Sequence, residues 1–178
     1  RTFSLNGTVG NQSFEDSFTS DLALLTSKNE LLVLDRANYR MVRIDIGTGK
    51  LVASVPTGRL PFAIQISPDQ KYAFEANVGM YAYPMVEGMN SSNYDSLLIQ
   101  HHPYGHNTPE SRNGTVIDGK FIPAVGDPNA EESMSVYTID LKTNMVKSRL
   151  KTGYKIGEMV EDAEVIGGSS PNSIAVHG

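Results

Sequence analysis

Residues 42–77 read V-R-I-D-I-G-T-G-K-L-V-A-S-V-P-T-G-R-L-P-F-A-I-Q-I-S-P-D-Q-K-Y-A-F-E-A-N. Four short runs of β-branched, aliphatic and aromatic residues alternate here with turn chemistry, which predicts strands joined by hairpins. Ile46-Gly47-Thr48-Gly49-Lys50 supplies glycines for the positive φ of a hairpin turn. Ser67-Pro68-Asp69-Gln70 places Pro where φ is already set for a tight turn. Met41, Arg43 and Asp45 alternate with Val42, Ile44 and Ile46, a period of two.

Outward from this stretch the pattern recurs. Leu31–Asn38 and Gln70–Asn77 both end in Ala-Asn, 39 residues apart. Val42–Asp45 and Tyr137–Asp140 lie 95 apart, as do Thr57-Gly58 and Thr152-Gly153. Pro61–Ser67 resembles Pro171–His177 at a spacing of 110. One unit is thus about 40 residues; the second copy carries about 55 extra residues after Asn77 and about 15 more after Gly153. The strands expected in the first unit are Asp21–Thr26, Leu31–Arg36, Met41–Ile46 and Leu51–Pro56. Those of the second are Phe62–Ser67, Tyr72–Ala76, Ser135–Leu141 and Val146–Lys151, with Ile174–Val176 opening a third unit. The resulting division is a lead-in over 1–16, a first unit over 17–58, a second over 59–153 with an insertion at 78–134, and a second insertion plus the opening strand over 154–178. Glu158–Ile166 predicts one short helix, and Ile44, Ile64, Ile139 and Ile174 are expected in the core.

Composition excludes several classes. The chain has 178 residues, 15 Lys+Arg against 20 Asp+Glu and a net charge of -5. No basic run is present, which argues against nucleic acid as a partner. The absence of Cys removes disulfides, thiolate zinc sites and thiol nucleophiles together. The longest apolar stretch, Val78–Val86, is broken by Gly79 and Pro84 and is too short to span a membrane. The first residue is Arg and no signal peptide is visible, so a segment of something longer is expected.

Four-stranded units of this length are typical of β-propellers. Val42–Asn77 resembles the YVTN-type propeller repeat, with Gln70 where that repeat prefers Gly and Glu75-Ala76-Asn77 where it prefers Val-Thr-Asn. Gly114–Ser135, through Gly126-Asp127-Pro128-Asn129, is similar to a segment of YncE-like propellers of bacterial periplasmic and surface proteins, some fused to phosphoesterase domains. The resemblance implies an all-β fold of about two four-stranded antiparallel blades plus the first strand of a third, with long loop insertions. Propellers close with about four to eight blades, so two leave open faces, to be completed by missing sequence or another chain. A two-sheet sandwich is the alternative. The resemblance also implies an extracytoplasmic location (periplasmic, secreted or cell-surface).

In an up-and-down blade the second-to-third and fourth-to-first connections emerge at one end. Both insertions, 78–134 and 154–170, belong to these connections, so that end is expected to carry recognition, and loops this long are uncommon unless functional or disordered. Asn38 and Arg59 lie on its shorter loops, and Asp127 and Asn129 in the long one. His101, His102 and His106, with Tyr104 among them, are the candidate metal or ligand residues; they lack a strict ligand spacing and also fit a solvated loop. Met80, Met85 and Met89 suit copper chemistry or simple packing. Asp127-Pro128-Asn129 with Glu131 and Glu132 lacks the spaced pattern of calcium loops and reads as a side-chain-held turn. Asp35, Asp45 and Asp140 are expected at equivalent strand positions, bonding turn N–H groups. No G-x-S-x-G elbow occurs, and Gly167-Gly168-Ser169-Ser170 lacks the Lys of a phosphate cradle. Asn6, Asn11, Asn90 and Asn113 each open a glycosylation sequon, too common a pattern to decide the source. These features favour a non-catalytic binding or scaffolding segment, with no cofactor expected, facing a protein, a glycan or an attached C-terminal domain. The rival is part of a propeller enzyme, lactonase-like or a haem- or copper-binding oxidoreductase, its site completed by other blades. A surface-layer spacer is a third option.

Overall fold

The computed structural model describes residues 2–82, 88, 92–93 and 108–177. The described residues are all-β apart from one five-residue helix and a 3-10 turn over Thr26–Lys28. It divides into two compact units, one of 1–79, 131–152 and 169–178, the other of 80–130 and 153–168.

The first unit holds two four-stranded antiparallel sheets. One is formed in chain order by β3 (Thr19–Leu25), β4 (Glu30–Asp35), β5 (Arg40–Asp45) and β6 (Leu51–Pro56). A short hairpin precedes it, β1 (Gly7–Val9) with β2 (Gln12–Phe14). The other sheet comprises β7 (Pro61–Ile66), β8 (Tyr72–Asn77), β11 (Ser135–Asp140) and β12 (Met145–Lys151), again in chain order. These are two propeller-like blades.

Register shows how close the repeat is. Thr19, Asp35, Arg40 and Pro56 lie level across the first blade, and Pro61, Asn77, Ser135 and Lys151 across the second. Bulges interrupt β3 and β7 at matching places, and likewise the β5–β6 and β11–β12 pairs. The spacing of 95 for the outer two strands is therefore correct. For the inner two the spacing is 42 rather than 39: Ala37-Asn38 lies in the turn after β4, whereas Ala76-Asn77 lies inside β8. The difference matters because an odd slip exchanges the two faces of a strand. In the true register Asp35 matches Asn77, Val33 matches Glu75, and Leu22 matches Ile64.

The blades pack through Leu25, Leu32, Leu34, Met41 and Val55 on one side and Ile64, Ala73, Ile139 and Leu141 on the other. Burying an aliphatic side chain of this size is worth about 1.5–3 kcal/mol. The other face of the first blade, Val33, Val42 and Ile44, is covered by Phe3 and Leu5 of the N-terminal strap. Strand β5 is thus buried on both faces, Arg40 and Arg43 included, and its period of two does not separate solvent from core. Buried charges need partners. Arg43 Nε donates to Glu30 Oε2 at 2.7 Å, and Nη1 donates to Leu141 O at 2.8 Å and to Asn144 Oδ1, tying the two blades together. Gln70, at φ 56, sits where glycine would be expected; its side chain bonds Ser27 N and Thr26 Oγ1 on the first blade.

Asp45 and Asp140 match and do the same work. Asp45 Oδ1 accepts from Thr48 N at 2.6 Å and Asp140 Oδ1 from Thr143 N at 3.0 Å. Asp35 is not their equivalent, since it ends the second strand rather than the third. It receives Arg40 Nε at 2.8 Å and the N–H groups of Phe18 and Asn38.

Two expectations are corrected. Ile174–Val176 is irregular, with no strand among the described residues paired to it; Ile174 is half-buried and Val176 exposed. Glu158–Ile166 is a hairpin, β13 (Met159–Val160) with β14 (Ala163–Glu164), not a helix. Gly157 and Glu161 both take positive φ, which breaks any helical run, and an isolated helix this short has too few bonds to offset nucleation.

In the second unit, Thr108 caps helix α1 (Pro109–Asn113), its hydroxyl accepting from Ser111 N, with Pro109 at the first turn. Hairpin β9 (Thr115–Ile117) with β10 (Lys120–Ile122) follows.

Candidate functional site

Both insertions are rooted at one end of the second blade. Asn77, from which the first departs, lies level with Ser135, where it returns, and with Lys151, after which the second begins. The polar residues at this end form a buried knot. Asn77 Nδ2 donates to Glu75 Oε1 at 2.9 Å and to Ser135 Oγ at 3.2 Å. Ser135 Oγ donates to Glu132 O at 3.3 Å, and the same carbonyl accepts Arg59 N at 2.8 Å. Arg59 Nη2 pairs with Glu132 Oε1 at 3.4 Å.

Gly58 is required here by close approach. A Cβ on it would stand 2.5 Å from Asn77 Cγ and 2.6 Å from Glu132 O. Gly79, at the start of the first insertion, is similarly pressed against Arg59: a Cβ on it would stand 2.8 Å from the Arg59 carbonyl oxygen.

Glu75 has no solvent exposure and occupies the position filled by Val33 in the first blade. Burial pushes its carboxyl up to about 8, against the opposing bonds from Asn77 and Gly58 N–H. It is therefore protonated at neutral pH. Glu75 Oε2 and Asn77 Oδ1 have no partner among the described residues. The carboxyl belongs to the buried polar knot at the end of the blade from which both insertions depart. Pattern reading missed it, because Glu75 looks like the polar face of an ordinary alternating strand.

The expected binding residues fall in different places. Asn38 is half-buried; its Nδ2 donates to Glu15 O and Asp35 Oδ2, both at 2.9 Å, so it clasps the strap to the first blade. Asp35 itself is pushed up by burial, but Asn38, Arg40, Ser17 and Phe18 N–H together hold it below the usual carboxylate range. Arg59 is buried in the root. Asp127 is exposed and accepts Asn129 N at 2.8 Å, the side-chain-held turn expected. Asn129 joins the two insertions: its Nδ2 donates to Ile156 O at 3.0 Å and its Oδ1 accepts Ile156 N at 2.9 Å, as a neighbouring strand would. His101, His102, Tyr104 and His106, with Met85 and Met89, lie outside the described residues. Among the described residues no group of three His, Cys, Asp or Glu side chains is placed to hold a metal, and no helix is long and apolar enough to cross a membrane.

No family model matches the chain, and no curated protein matches it. Among solved structures it is similar to hydrazine synthase of Kuenenia stuttgartiensis, at 12% identity and a TM-score of 0.46, over 94% of this chain and 29% of that one. A functionally unknown protein of Desulfotomaculum acetoxidans DSM 771 is similar at 13% identity and a TM-score of 0.43, over 79% of this chain and 29% of that one. U3-55K is similar at 10% identity and a TM-score of 0.33, over 80% of this chain and 42% of that one. The chain spans less than a third of the length of the first two. Likeness at this level assigns no activity, and the fold rests on the sheet order and register given above.

Proposed function

We propose that this chain is a binding or scaffolding propeller segment that recognises its partner, a protein, a glycan or an attached domain, through the two insertions. One observation carries the reading: both insertions leave the same end of one blade, and together they make a compact unit of their own, joined by Asn129 and Ile156. Irregular connecting chain positioned by a rigid scaffold of sheets is the usual division of labour in recognition. In this reading Asn38, Arg59 and Asn129 hold loops in place. Asp127, which is exposed, is the binding residue assigned to the recognised surface, and His101, His102, Tyr104 and His106 are the candidates the sequence adds to it. The YVTN and YncE-like resemblance of residues 42–77 and 114–135 supports a bacterial, extracytoplasmic setting and a ring completed by further blades. The test is metal analysis of the purified full-length protein beside its His101→Ala, His102→Ala, His106→Ala triple variant. Stoichiometric copper or iron lost in the variant would replace scaffolding with the oxidoreductase alternative. No stoichiometric metal, with partner binding lost in Asp127→Arg, is the expected result.

A further inference from the structure

The two blades meet through their inner strands and part toward the outside, where β6 and β12 barely touch. The gap is a recess of about 310 Å³, lined by Val55, Pro56 and Thr57 from the first blade and by Tyr137, Val146 and Arg149 from the second. That volume is at the lower end of the range that holds ligands. A bulge shapes the recess. Ile139 pairs with Val146 and Thr138 with Ser148, so Lys147 is the extra residue. Val146 and Arg149 are thereby brought to one face of the sheet, opposite Ile139 and Tyr137. The recess thus has an apolar part, Val55 with Val146, and a cationic one, Arg149.

Strand β12 borders this recess with an open edge. Among the described residues it pairs with β11 alone. It carries Lys147, Arg149 and Lys151 and no acidic residue, in a chain whose net charge is -5. Lys147 Nζ donates to the Tyr72 hydroxyl at 2.8 Å and Lys151 Nζ to Ser133 O at 3.1 Å. Arg149 is the exchangeable cation. Its guanidinium lies 5.3 Å from the centre of the Tyr137 ring, which steadies it beside the recess, and it meets Glu131 only at 3.6 Å. Both side chains of that pair are half or more exposed, so the pair is worth little and yields to an incoming carboxylate. Met145 and Leu150 add exposed apolar surface along the same strand.

We infer that β12 is a docking edge for an extended acidic peptide segment of a partner protein, which adds to the second blade as a fifth strand. In strand addition the main chain supplies affinity, and alternate side chains supply the choice of partner. One side chain facing the recess is apolar and enters beside Val55 and Val146. The next on that face is Asp or Glu and takes Arg149 from Glu131. A two-fold pairing of two copies would set β12 against β12, three cations against three, which opposes self-pairing. All residues of this surface belong to the unit that holds the two sheets, so the inference is independent of recognition through the insertions.

The probe is the fluorescein-labelled peptide Thr-Val-Glu-Leu-Thr-Asp-Val, titrated by fluorescence anisotropy with the full 178-residue chain. Saturable binding is expected, weakened ~tenfold or more when the chain carries Arg149→Glu. That variant should keep the parent's melting temperature, because the side chain is half exposed, and should regain affinity for a peptide with arginine in place of the aspartate. Backbone N-methylation of the peptide at alternate residues separates strand addition from charge alone. One set of positions should abolish binding and the other leave it intact, because only every second N–H of a strand faces a given neighbour. Absence of saturable binding, binding indifferent to Arg149→Glu, or equal binding of both N-methylated peptides overturns the inference. So does full displacement of the peptide by an equal concentration of octanoate, which would assign the recess to a small amphipathic carboxylate. Sedimentation showing self-association that the peptide reverses would assign the edge to a second copy and overturn it too.

Discussion

Replacing Glu75 by Gln tests the buried root most directly. Glutamine keeps the shape and an acceptor for Asn77 Nδ2 but cannot ionise. The parent carboxyl has an ordinary value of 4.5 and is pushed up to about 8 by burial in the folded chain. Between those limits the folded state holds a proton that the unfolded state has released, so stability falls as pH rises, at ~1.4 kcal/mol per pH unit. Below 4.5 both states are protonated and the group is neutral in its effect; above about 8 both are ionised and the loss is complete. The interval gives a loss on the order of 5 kcal/mol across the whole range and ~3 kcal/mol by pH 7. Denaturant midpoints measured from pH 4.5 to 8.5 should therefore slope downward for the parent. Glu75→Gln should remove that part of the slope, matching the parent at the acid end and exceeding it increasingly above pH 6. An unchanged slope in the variant, or a variant weaker at every pH, would show that Glu75 is not held neutral in the folded blade.

Three further outcomes follow from packing and charge. Ile64→Asp puts an unpaired charge between the blades and should cost several kcal/mol, ~3 or more, in chemical denaturation; a parent-like midpoint would mean that the strand register is wrong. Gly58→Ala drives a methyl into Asn77 and Glu132 O and should cost ~1–3 kcal/mol. Proteolysis should then begin in the insertions before the sheets, and cleavage in the sheets first would contradict the root. Arg43→Met strands Glu30 in the core and should destabilise by ~3–5 kcal/mol, whereas Arg43→Met combined with Glu30→Met should recover most of the loss, as a double-mutant cycle would show.

Strand identity was legible because it depends on neighbours along the chain. Turn residues and short β-branched runs located all eight blade strands to within two residues, and the spacing of 95 is the true register of the outer pairs. The root of both insertions at one end followed from counting strands. The Ala-Asn match misled because two residues repeat easily by chance, whereas register is decided by a whole ladder of bonds. The sequence predicts exposed loop chemistry for the candidate site, whereas Asn38, Arg59 and Asn129 are spent on backbone and ion-pair contacts.

What the chain's own order of residues determined is therefore local: where it turns, where it extends, and that it does so twice. Only the tertiary structure decided which faces are covered. Val33 and Glu75 occupy one repeat position, yet one meets Leu5 and the other a polar knot. Leu22 and Ile64 occupy another, and one is open while the other is sealed. Burial depends on what packs across a sheet, from residues distant in sequence, and no periodicity within a strand carries that information.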